Sequence, residues 1–64
     1  MERMYYVFND LNSGEIFLAI TDEGLEKAQA LAQTFCMEPH YCGEVYTAEE
    51  VDANEELMEC GFVV

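Results

Sequence analysis

At 64 residues the chain is a single domain, residues 1–64, with no room for a separate catalytic unit; a fold of this size buries only about 60% of its unfolded surface. Fourteen Asp and Glu against two bases, Arg3 and Lys27, give a formal charge of −12, yet 52% of the residues are hydrophobic. Enough apolar material is present to fold and hold the carboxylates on a fixed surface, and that surface repels nucleic acid and anionic membrane, so direct binding to either is excluded as a function.

Residues 3–8 are aromatic and β-branched, residues 15–20 are apolar, and Asn9, Asp10, Asn12, Ser13 and Gly14 lie between them. This pattern predicts a β-hairpin. Thr21 and Asp22 are placed to cap a following helix over about 22–37, whose Leu25, Ala28, Ala32, Phe35 and Cys36 recur at helical spacing. Pro39 ends it, and residues 41–46 form a third, short strand interrupted by Gly43. Thr47, Ala48, Glu49 and Glu50 fit a capping box that opens a second helix at Ala48, running either to Cys60 or to a break near Asn54. Phe62, Val63 and Val64 follow as a last strand or an apolar tail. The order β-β-α-β-α implies an α+β fold with an antiparallel three-stranded sheet, order 2-1-3, and helices packed on one face.

The first residues lack the basic segment, apolar stretch and cleavage site of a secretory signal, and no apolar run approaches the roughly 18 residues of a membrane span. Three cysteines cannot close a disulfide framework, so reduced thiols and a cytoplasmic setting are expected. Cys36, His40, Cys42 and Cys60 are residue types that suit zinc, but their spacing lacks the paired knuckle of a zinc site, and free cysteines at apolar positions are commonly small core residues. Asp10, Asn12 and Gly14 resemble the start of a calcium loop whose downstream acid is missing, since residue 21 is Thr. No metal, cofactor or catalytic constellation is expected, and the chain does not read as an enzyme.

The charge pattern is more informative. Glu49, Glu50, Asp52, Glu55, Glu56 and Glu59 crowd the second helical region with no base among them, and in one continuous helix several would be like-charge neighbours costing about 0.2–0.5 kcal/mol each. Glu49, Asp52, Glu56 and Glu59 would line a stripe roughly 15 Å long at about 1.5 Å rise per residue, comparable in charge density to a nucleic-acid strand. Partner binding is therefore assigned to Glu49, Asp52, Glu55, Glu56 and Glu59. In size, charge and compact α+β reading the chain resembles the small acidic inhibitors of phages and mobile elements, the DNA-mimic anti-restriction and anti-CRISPR proteins. That resemblance implies an inhibitor whose carboxylates replace phosphates in the basic groove of a nuclease or CRISPR effector complex.

The hairpin strands are apolar on both sides. Covering one face with helices leaves Tyr5, Val7, Phe17 and Tyr46 outward, an apolar interface for a homodimer or a partner, unless the C-terminal residues fold over it. The alternative function is accordingly a small regulatory or antitoxin-like interaction module that binds through this apolar sheet face and uses its charge for solubility.

Overall fold

The computed structural model describes residues 2–64, which form a four-stranded sheet of order β3-β1-β2-β4 with helices on both faces. β1 (Met4–Asp10) and β2 (Ile16–Thr21) make the expected hairpin, in register from Met4 opposite Thr21 to Asn9 opposite Ile16. Its loop is closed by the chemistry the sequence offers. The Asp10 carboxylate accepts from the Asn12 N–H at 2.9 Å and from the Ser13 hydroxyl at 3.1 Å, and Gly14, at φ 76°, supplies the left-handed residue that turns the chain back.

α1 (Leu25–Phe35) is shorter than the sequence pattern predicts. Thr21 is taken up by β2, where it is 6% exposed, and its hydroxyl accepts from the Glu23 N–H at 3.0 Å, tightening a turn before the helix instead of capping it. Gly24 occupies the N-cap position. The spacing of Ala28 and Ala32 is as expected: both are fully buried and let α1 lie close over Phe8 and Phe17.

β3 (Pro39–Thr47) pairs antiparallel with β1 and is longer at both ends than the expected strand. Pro39 begins it at the outer edge, where a missing N–H costs no ladder bond. Around Gly43, at φ 83°, the pairing shifts between Tyr6 and Phe8, a bulge that lets the strand carry extra residues past Val7. The order 2-1-3 holds for these three strands. The sheet is extended beyond it by β4 (Gly61–Val63), which runs parallel to β2 with Leu18 opposite Phe62.

The helices do not share one face. α1 connects β2 back across β1 to β3, whereas α2 (Ala48–Asp52) and α3 (Glu55–Met58) carry the chain from β3 across the whole sheet to β4. The strands joined by each connection point the same way, and the two crossovers travel in opposite directions. A common hand, which parallel crossovers are held to, therefore puts them on opposite faces. One core layer has Phe8, Phe17 and Ala19 under α1; the other has Val7, Leu18 and Val51 beneath α2 and α3.

This overturns the expected outward apolar face. Val7 is 5% exposed and Phe17 1% exposed, and they lie in opposite layers, because Phe17 is paired with Phe8 and Val7 with Leu18. Tyr5 and Tyr46 are half-buried against the α2–α3 layer.

Candidate functional site

The acid-rich segment is a strap laid over one face of the sheet. It starts with the predicted capping box: the Thr47 hydroxyl accepts from the Glu50 N–H at 3.2 Å, and the Glu50 carboxylate accepts from the Thr47 N–H at 2.9 Å. Glu50 is thus partly committed to structure. α2 ends after Asp52, and Asn54 opens α3 by accepting from the N–H groups of Glu56 and Leu57 at 3.0 and 3.4 Å.

The break replaces the continuous carboxylate stripe. It has an electrostatic logic, since two short helices present two positive N-terminal ends, and Glu49, Glu50, Glu55 and Glu56 all fall in first turns. Asp52 and Glu55 are no longer successive turns of one helix, which removes part of the expected like-charge cost. Val51 is the anchor, 3% exposed and packed in the layer with Val7 and Leu18, while Leu57 and Cys60 pack beside it.

Glu49, Asp52, Glu55, Glu56 and Glu59 are all exposed, on the same strap and the same side of the sheet. The strap also meets the half-buried apolar residues. Tyr5, Ile20, Val51, Asp52, Met58 and Phe62 surround an open concavity of about 270 Å³. Tyr5, read from sequence as part of an apolar interface, and Asp52, read as part of an acidic one, therefore belong to one surface. Phe62 was missed as a site residue: β4 places its ring against Tyr5, 6.2 Å between centroids at 85°, and leaves it 45% exposed. The signal for it was the apolar C-terminal triplet, whose strand partner depends on a long-range pairing with β2.

Tyr46 donates a hydrogen bond from its hydroxyl to the Glu44 carboxylate. That bond, with partial burial and the charges of Glu44 and Glu50, pushes its ionisation above the ordinary tyrosine value. The thiols of Cys36, Cys42 and Cys60 are all pushed up, first by burial and then by acids nearby: Asp10 for Cys36, Glu44 for Cys42, and Glu59 and Glu56 for Cys60. All three are free, and no group of three or more His, Cys, Asp or Glu among the described residues is arranged to hold a metal ion. No helix among the described residues is long and apolar enough to cross a membrane.

No family model, curated protein or solved structure matches the chain.

Proposed function

We propose that this protein is an acidic inhibitor that occupies the basic binding groove of a nucleic-acid-binding machine, a nuclease or CRISPR effector complex, with carboxylates in the place of phosphates. The observation that carries this reading is the α2–α3 strap, on which Glu49, Asp52, Glu55, Glu56 and Glu59 stand exposed on two capped helical turns with no base among them. Magnitudes support it. The longest dimension is 29 Å, and 29 Å of duplex at one phosphate charge per about 1.7 Å carries about 17 charges, against the formal −12 of this chain. A folded surface of that charge density steers a cationic partner and competes with its polyanionic ligand.

The test is capture from a native host lysate on the immobilised protein, with elution by salt and by duplex DNA, followed by mass spectrometry. The expected result is a basic nucleic-acid-binding protein that duplex DNA displaces, and whose capture is lost when Asp52, Glu55, Glu56 and Glu59 are all changed to Lys. Capture that the folded quadruple variant retains, or that neither salt nor DNA reverses, would overturn the reading. Such retention would instead favour docking through apolar surface.

A further inference from the structure

The concavity between the strap and the sheet is not needed for phosphate mimicry, because it is apolar. It is lined by Tyr5, Ile20, Val51, Met58 and Phe62, together with one acid, Asp52. Met58 is 51% exposed and Phe62 45% exposed, so solvent reaches apolar surface beside the acid-rich strap. At about 270 Å³ the space falls below the roughly 300–1,000 Å³ of small-molecule sites, and it is open on one side.

We infer that this concavity seats a single apolar side chain projecting from a Lys/Arg-rich segment of the partner protein. The inference rests on the proposed reading of the acids as the partner-binding surface. Charge complementarity selects the occupant: Asp52 lines the concavity, and the exposed Glu55 and Glu59 lie within three residues of Met58 in the chain, at the start of α3 and at its C-cap, so cationic flanks are favoured on whatever enters. An apolar centre ringed by polar groups is how protein interfaces concentrate affinity, since the rim excludes water from the anchor. Carboxylates alone attract any cation. The seat supplies selection among basic proteins, admitting a segment whose charges flank a Leu-sized or aromatic side chain and giving no advantage to an unbroken run of Lys and Arg.

The test uses isotope-labelled full-length protein and three heptapeptides: six Lys/Arg residues around a central Leu, the same with central Ser, and six Glu residues around a central Leu. Binding is followed by NMR. The Leu-centred basic peptide is expected to bind about tenfold more tightly than its Ser counterpart and to shift the methyl signals of Ile20, Val51 and Met58, while the acidic peptide does not bind. Met58→Ser, a change at an exposed position, is expected to reduce the ratio of the two basic peptides towards one without weakening the Ser peptide, and Met58→Leu to keep the ratio. Equal affinity of the two basic peptides, or a Leu preference unchanged in Met58→Ser, would overturn the seat. Equal, salt-sensitive binding that disappears on reversing the strap acids would do so while leaving the acidic surface standing. Undiminished binding of the Leu peptide after that reversal would instead keep the seat and sink the acidic reading.

Discussion

The rings of Tyr5 and Phe62 meet edge to face, 6.2 Å apart at 85°, across the strand that separates β1 from β4. They are 57 positions apart in a chain of 64 residues, so this contact ties the beginning of the sheet to its last strand. Aromatic pairs of this geometry contribute about 0.5–1.5 kcal/mol beyond the area they bury.

Phe62→Ala is expected to lower stability by about 1–2 kcal/mol, reduced from a full core deletion because the ring is half-exposed. Chemical denaturation measures the total. Amide exchange should quicken at Phe62 and Val63 but not within the β1–β2 hairpin, and uniform acceleration across the sheet would show that β4 is not a separable element.

Thr47→Ala and Asn54→Ala each remove a side-chain cap from the strap, and each is expected to cost about 1 kcal/mol. Because the caps serve different helices, the double variant should show near-additive loss in thermal melts. A strongly non-additive result would mean that the two caps are coupled to each other.

Changing Asp52, Glu55, Glu56 and Glu59 to Lys is expected to leave the fold intact and the melting temperature equal or higher at low salt. None of the four carboxylates is a cap acceptor, unlike that of Glu50, and the relief of like-charge repulsion across so acidic a chain offsets the loss of Glu55 and Glu56 from the positive end of α3. The difference from the unchanged protein should shrink as salt rises. A fall in melting temperature at low salt would contradict this account of the strap.

The Tyr46 hydroxyl gives a pH dependence of known sign. Its ionisation is raised in the fold by the bond to Glu44 first, then by burial and by the charges of Glu44 and Glu50. The neutral phenol is therefore favoured by folding: the contribution is fully present below the unfolded value of about 10 and is lost as pH rises from there through the higher folded value. Phenolate absorbance should show one tyrosine titrating late, and Tyr46→Phe should flatten the alkaline fall in stability. A late phenol that persists in Tyr46→Phe would assign the effect to another residue.

Val7 and Phe17 are buried in opposite layers, so they form no common apolar face through which the chain could self-associate. Sedimentation is expected to give a 7.3 kDa monomer at low and at high salt. A dimer that tightened with salt would require another surface to drive it.

Local chemistry was legible in the sequence, and long-range geometry was not. The hairpin turn, the Thr47–Glu50 box and the Ala28/Ala32 stripe are determined by residues within a few positions of one another, and each appears in the fold. The grouping of Val7 with Phe17 failed because facing depends on pairing register: a strand with apolar residues on both sides carries no mark of which side meets which helix. The opposite placement of the helices depends on the direction of each crossover, and that required knowing that β4 joins beyond β2. The acids of the site were legible one by one. Their meeting with Tyr5 and Phe62 was not, because it depends on that same final strand.

The strap runs from one edge strand to the other and is held by its two ends, by the buried Val51 and by the half-buried Leu57 and Cys60 beside it. Such a segment can come away as one cooperative unit while the hairpin, α1 and β3 stay paired, because its release exposes one core layer and leaves the other closed. Mutual repulsion of its carboxylates favours release, and ionic strength opposes it. A cationic partner that neutralises those charges would therefore also close the opening, so that binding would appear as protection from exchange at Leu57 and Cys60, which pack in the layer beneath the strap and do not line the concavity.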